Sequence, residues 1–186
     1  MRHLRLCLGS LLVIATHSSI AASASDFVIS EDGAFVVDIQ TELAWSRCIE
    51  GMQWNGKTCI GTPHLSTYVE ALAIARERTK ADGLQWRIPR VKELQHLLNK
   101  KAHEKRKPEE LFPATPLGWH WTGSANVDTK SVNQYQYKNI EQGVTAKNSN
   151  SLAFLHGWAV NAQTGEARGD VLKREKLLVR LVCEIK

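Results

Sequence analysis

Strands near both ends of the chain, with two amphipathic helices between them, predict an α+β domain. Three observations carry that expectation. "GAFVVDIQ" near the start and "LLVRLVCEI" at the end are rich in β-branched and aliphatic residues in a strand-like pattern. "STYVEALAIARERTKADG" carries a complete set of helix start and stop signals, and "VKELQHLLNKK" repeats its leucines at helical spacing. A length of 186 residues suits one such domain, long enough to bury a core of its own.

The first residues stand apart from that domain. "MRHLR" is a short basic segment, "LCLGSLLVIA" an apolar stretch too short to span a bilayer, and "SIAASASD" a run of small residues. Cleavage after Ala24 satisfies the A-x-A pattern through Ala22 and Ala24. Cys7 lies at the start of the apolar run and so does not read as a lipoprotein cysteine. The expectation is a signal peptide over 1–24 and a single exported domain over 25–186, periplasmic, at the cell surface or secreted. No later segment is apolar enough to cross a membrane.

"DFVIS" and "GAFVVDIQ" read as strands joined by the turn "EDG", and "TELAWSRC" as an extended continuation. In the first helix Thr67 and Glu70 form a capping box, Tyr68, Ala71, Leu72 and Ala75 supply the apolar stripe, and Gly83 ends it. "LQWRI" reads as a strand feeding a second helix that buries Val91, Leu94, Leu97 and Leu98. "WHWTGS" reads as a strand, and 125–151 as a long polar loop of the kind that more often carries function than fills space. "LAFLHGWAVN" and "LLVRLVCEI" follow as strands joined through "AQTGEARGD", whose Thr-Gly marks a hairpin turn.

Without Arg2 and Arg5 the formal charge falls from +5 to +3, so the domain is only mildly basic. Its charge is uneven. Lys100, Lys101, Lys105, Arg106 and Lys107 cluster in "NKKAHEKRK", and Lys173, Arg174 and Lys176 lie close together near the end. Such runs are usually solvated surface; the sharper reading is a patch for sulfated or otherwise anionic glycan or envelope polymer. No nucleic-acid module is visible.

Of the four cysteines, Cys48, Cys59 and Cys183 belong to the domain. In an oxidising compartment Cys48 and Cys59 are a natural pair, with a metal site of Cys48, Cys59 and His64 as the competing arrangement. Cys183 alternates with Leu177, Val179 and Leu181, as a buried, inert thiol would.

"LAWSRC", "MQWNGKTCIGT", "YVEALAIA", "WRIPRVKEL", "WHWTGS" and "VRLVC", in this order, resemble the Lcl C-terminal-like family, named for the C-terminal domain of a bacterial collagen-like adhesin. The resemblance covers 27–184, and no single motif carries it alone. It rests on Trp45, Trp86, Arg87, Pro89, Glu93, Leu94, Trp121 and Arg180, with Trp86, Leu94 and Trp121 read as core and Arg87–Glu93 as a structural ion pair. It implies a C-type-lectin-like fold: two helices, an irregular antiparallel sheet, and paired N- and C-terminal strands. It also implies a surface role, with glycan adhesion in some members. Three positions depart from the family pattern. Gly123 replaces a small hydroxyl residue, Cys183 an arginine, and Arg90 the threonine or asparagine that would cap the second helix. Arginine cannot accept the first helical N–H bonds, and its charge sits badly at the positive end of the helix dipole.

Candidate chemistry narrows by elimination. The calcium-binding tripeptides of sugar-binding C-type lectins (E-P-N, Q-P-D, W-N-D) are absent, as are the common hydrolase, metalloprotease, phosphate-loop and dinucleotide motifs. His64, His96, His103, His120 and His156 show no metal spacing. No cofactor or metal is expected. Trp119 and Trp121 share one strand face, as do Tyr135 and Tyr137 with Gln134 and Gln136 opposite, and aromatic faces beside amides suit sugars. Trp45, Trp86, Trp121 and Trp158 are expected in the core, and Trp119, Tyr135 and Tyr137 at the surface. The expected function is a non-enzymatic, calcium-independent binding module for anionic or polar glycans. Its candidate ligand residues are Arg90, Lys100, Lys101, Lys105, Arg106, Lys107, Trp119, Tyr135 and Tyr137. The alternative is an assembly accessory of an envelope or surface organelle that binds protein.

Overall fold

The computed structural model describes residues 26–103, 107–124 and 155–185, with backbone alone at 101–103. Residues 1–25, 104–106, 125–154 and 186 lie outside the described residues, and with them the expected signal peptide and the expected polar loop over 125–151. The described chain is α+β, with antiparallel sheets and three helices.

The principal sheet takes strands from both ends of the domain. Strands β1 (Phe27–Ile29), β2 (Phe35–Asp38) and β3 (Leu43–Ser46) form a meander, and β9 (Val182–Glu184) closes it in the order β1-β2-β3-β9. The pairing Ala44↔Cys183 therefore joins the start of the domain to its end. All four residues of β3 are buried, because the sheet is covered on both faces. Leu43 and Trp45 pack with Leu94 and Leu97 of α2 (Val91–His103), whereas Ala44 packs with Ala71 and Ala75 of α1 (Tyr68–Asp82). Period-2 alternation thus feeds two cores, one beneath each helix.

Helix α1 starts and stops where its signals place it. The Thr67 Oγ1 accepts from the Glu70 N–H, and the Glu70 carboxylate accepts from the Thr67 N–H at 2.7 Å. Gly83 ends the helix at φ 77°, in the left-handed region that glycine enters without steric cost. Its buried stripe is Ala71 and Ala75, small enough to let the helix lie close to the sheet. Leu72, expected in that stripe, is exposed, and Ile74 packs against the core instead.

Three stretches differ from the expected elements. "LQWRI" makes no extended strand: Arg87 alone pairs, exchanging two backbone hydrogen bonds of 2.9 Å with Val182. The Thr-Gly turn does form a hairpin, but between β7 (His156–Asn161) and β8 (Ala167–Leu172), with β6 (Trp119–Thr122) on the far side of β7. "LLVRLVCEI" is consequently not the hairpin partner. Residues 177–181 instead bridge elements one at a time: Leu177 bonds Ser66, Leu178 bonds Trp119 and Trp121, Val179 bonds Glu50, and Leu181 bonds Ser46. This strut ties the two larger sheets together. A four-residue helix α3 (Pro108–Leu111) also appears after the basic run.

Cys48 and Cys59 are joined in a disulfide, which consumes both thiols and displaces the metal arrangement with His64. The loop it closes holds the hairpin of β4 (Met52–Trp54) and β5 (Cys59–Gly61), which its polar sequence did not announce. Gly51 begins that hairpin at φ 90°, where a Cβ would lie 2.5 Å from the His64 backbone nitrogen. Cys183 is free and buried, as expected.

Candidate functional site

The joint between Trp86 and Leu94 combines buried side chains with hydrogen bonds centred on Glu93. Trp86, Ile88 and Pro89 are buried and fix the approach to α2. Arg87 donates two bonds to Glu93, Nη1 to Oε2 at 2.7 Å and Nη2 to Oε1 at 3.0 Å, in the two-pronged geometry that suits a guanidinium. The Glu93 carboxylate also accepts from the Arg90 N–H at 2.7 Å. Burial alone would raise the Glu93 carboxyl, but the Arg87 bonds and the Arg90 N–H outweigh it and hold the group below its ordinary value. The expected ion pair is present.

Arg90 itself is exposed and caps nothing. The missing cap comes from elsewhere: the Ser124 Oγ accepts from the Val91 N–H at 2.9 Å. The chain end that delivers Ser124 is held by the Gly123 N–H, which donates to the Pro89 carbonyl at 2.8 Å. A Cβ at Gly123 would sit 3.2 Å from the Ile88 carbonyl oxygen, so a side chain there would require the two segments to separate by a few tenths of an ångström.

The basic run divides. Lys100, expected at a ligand surface, is turned inward: its ammonium lies 3.1 Å from Asp38 and 3.4 Å from Asp26, over the Phe27 ring. Asp38 is 1% exposed. Burial raises its carboxyl, and the bonds from Lys100, Thr41 and the Gln40 N–H more than reverse this, leaving it below its ordinary value. Lys107 is exposed at the start of α3, while the side chains of Lys101, Lys105 and Arg106 lie outside the described residues, as do Tyr135 and Tyr137.

The tryptophans separate by depth. Trp45, Trp86 and Trp121 are buried, with Trp121 Nε1 donating to the Ser66 carbonyl at 2.7 Å. Trp158, expected in the core, is only half-buried on β7, the strand it shares with the deeper Ala159 and Val160. Trp119, expected exposed, is half-buried too, but it borders an open groove of about 380 Å³. Pro63, Leu65, Pro116, Leu117 and Lys176 line the same groove. The Arg168 guanidinium stands 5.0 Å from the Trp119 ring centroid. Arg168 escaped notice in the sequence because β8 was read as a turn. Had "ARGDVL" been taken as a strand, alternation would have aimed Arg168 and Asp170 outward together.

The order of motifs, the joint they build and the closing of β9 onto β3, two strands away from the N-terminal strand β1 expected as its partner, now stand together, and the Lcl C-terminal domain model matches residues 34–183. The chain belongs to the Lcl C-terminal domain family. No curated protein is significantly similar to it. Within this Lcl C-terminal domain the matched stretch contains the disulfide, the Arg87–Glu93 joint and the Trp119 groove. It also contains Arg180, whose guanidinium is buried. Arg180 Nη1 donates to the carbonyls of Ser46 and Arg47, Nη2 donates to the Thr115 Oγ1 at 3.0 Å, and the group stacks 4.6 Å from the Phe112 ring. Burial pushes it down to about 9, which leaves it protonated at neutral pH. Arg47 is a second buried guanidinium, missed in the sequence. It bonds the Gly33, Glu110 and Leu111 carbonyls and lies 4.1 Å from the Trp54 ring, pinning α3 to the first sheet.

Among the described residues no helix is long and apolar enough to cross a membrane.

Proposed function

We propose that the domain is an exported, non-enzymatic and calcium-independent binding module for anionic glycan, with the Trp119 groove as its recognition surface. The observation that carries this reading is the Trp119 ring, which lines an open groove together with Lys176 and has the Arg168 guanidinium 5.0 Å from its centroid. Arg168 Nε is engaged by Glu166 at 3.0 Å, and its Nη donors stand outside that pair. A flat indole packs on the C–H face of a pyranose, and two cations beside it meet a sulfate or carboxylate. Lys107, exposed at the start of α3, is a further cation of this reading; Lys100 is left out because Asp38 holds it. A C-type-lectin-like arrangement belongs to the same reading, supported by the pairing of β3 with β9.

Retention on immobilised heparin at low and raised salt tests the proposal. The domain should bind at low salt and elute as salt screens the contact. Trp119→Ala and the pair Arg168→Ala with Lys176→Ala should each weaken retention. Failure to bind heparin or any acidic glycan on an array at low salt would overturn the assignment.

A second reading, docking of a protein in an envelope assembly, has its own support. Leu65 and Leu117, 48% and 67% exposed, flank the same groove and would seat an apolar side chain. Crosslinking in the native envelope separates the two: a stable protein adduct lost with Leu117→Ser, together with no acidic-glycan retention, favours docking.

A further inference from the structure

A cleft of about 250 Å³ lies between α2, α3 and the β6–β7 pair, apart from the Trp119 groove and sharing only Leu117 with it. Its walls are largely hydrocarbon, from Leu94, Leu97, Leu98, Phe112 and Leu117. Its buried polar members are Arg180 and His120, 4% and 2% exposed. The His120 Nδ1 lies 3.1 Å from the Gly118 carbonyl oxygen, which holds the ring in place.

A buried guanidinium is costly unless a counter-charge and hydrogen bonds compensate it. Among the described residues no carboxylate pairs with Arg180. Glu109, the one acidic residue on the cleft lining, is exposed at its outer side. The three acceptors of Arg180 are two carbonyls and a hydroxyl, all neutral, and they engage Nη1 twice and Nη2 once. A guanidinium has five N–H donors. Its Nε–H and one Nη2–H therefore have no acceptor among the described residues.

We propose that this cleft binds a small monocarboxylate with an apolar body, its carboxylate seated on Arg180 and its hydrocarbon part among the leucines of α2. The planar fork of arginine is the donor group best matched to a carboxylate. The volume exceeds the roughly 150 Å³ of an engineered apolar cavity that admits benzene, so a short acyl chain or a single aromatic ring fits. A neighbouring opening of about 370 Å³ shares Leu98, Pro108, Leu117 and Ala162 and leads past Gln163 and Thr164, giving the ligand a way in.

Thermal unfolding of the whole domain with sodium hexanoate and sodium benzoate, against hexanamide and benzamide, tests this. Both carboxylates should raise Tm by about 5 °C at saturation, and the uncharged amides should not. Replacing Arg180 would also release the Ser46 and Arg47 carbonyls, so the blocking variant is Ala162→Trp, which fills the cleft from a half-buried position. It should abolish the shift, and Trp119→Ala should keep it, which separates this site from the glycan groove. Equal stabilisation by the amides, no shift with either carboxylate, or a shift that survives Ala162→Trp would each overturn the proposal.

Discussion

The Ser124 hydroxyl caps helix α2 by accepting the Val91 N–H at 2.9 Å, from a point 33 residues further along the chain. A cap is ordinarily supplied by the residue that precedes the helix, and here that position holds Arg90. The first N–H of the helix is therefore satisfied by the segment that follows β6. An element that reads as local is in fact completed by tertiary structure.

Removing that hydroxyl gives the first prediction. Ser124→Ala should lower stability by about 1 kcal/mol in urea or thermal unfolding. Ser124→Thr, which keeps the hydroxyl, should lose much less. Arg90→Asn would accept from the Lys92 or Glu93 N–H rather than from that of Val91, so it should stabilise the parent and Ser124→Ala by similar amounts. Equal losses from Ser124→Ala and Ser124→Thr would mean that the hydroxyl is not the cap.

The second concerns the joint at Glu93. Its carboxylate serves Arg87 twice and the Arg90 N–H once, so Glu93→Ala should cost about 2 kcal/mol. The folded-state value of this carboxyl is depressed, so its contribution is fully present above the ordinary value of 4.5 and is lost as pH falls through the lower, folded value. The stability gap between the parent and Glu93→Gln should therefore be constant near neutrality and shrink on acidification below that point. A gap independent of pH down to acid unfolding would contradict the pairing.

Lys100 supplies the third. It is the ammonium nearest Asp38, whose carboxylate also has His96 Nε2 at 3.3 Å and the Gln40 N–H. Lys100→Met should therefore destabilise by about 2 kcal/mol, the loss of one charge-assisted bond. Asp38→Asn in the same chain should return part of that loss. Neither change should alter heparin retention of the folded protein by as much as the Arg168 and Lys176 pair does. A large loss of retention with unchanged stability would return Lys100 to the ligand surface.

The disulfide supplies the fourth. Cys48 and Cys59 are 11 positions apart, and closing so short a loop is worth about 3 kcal/mol in chain entropy. Replacing both by Ala should lower the denaturation midpoint accordingly. Reductant should lower the parent's midpoint toward the double variant's and leave the variant unchanged, because Cys183 has no thiol partner among the described residues. A reductant effect that persists in the double variant would place the redox chemistry at Cys183.

What the sequence determined by itself was local, or short-range in chain terms. Helix α1 could be read from Thr67, Glu70 and Gly83 because each of those signals acts within a few residues of its target. The Arg87–Glu93 pair and the Cys48–Cys59 bond were legible for the same reason. The burial of Cys183 was expected too, but alternation did not decide it, because Leu178, Arg180 and Val182 are buried along with Val179, Leu181 and Cys183. Tertiary structure alone decided which neighbour each strand would take. Residues 177–181 look like one strand, yet their backbone groups are divided among Ser46, Glu50, Ser66, Trp119 and Trp121, because no residue's pattern encodes its distant partner. The same limit governed the charges. Lys100 and Lys107 are indistinguishable in a basic run, and only the nearness of Asp38 turns one inward while the other stays in solvent. Arg90 looked anomalous until Ser124 was brought to its helix, and Arg168 met Trp119 only because β7 lies between their strands and is paired to both.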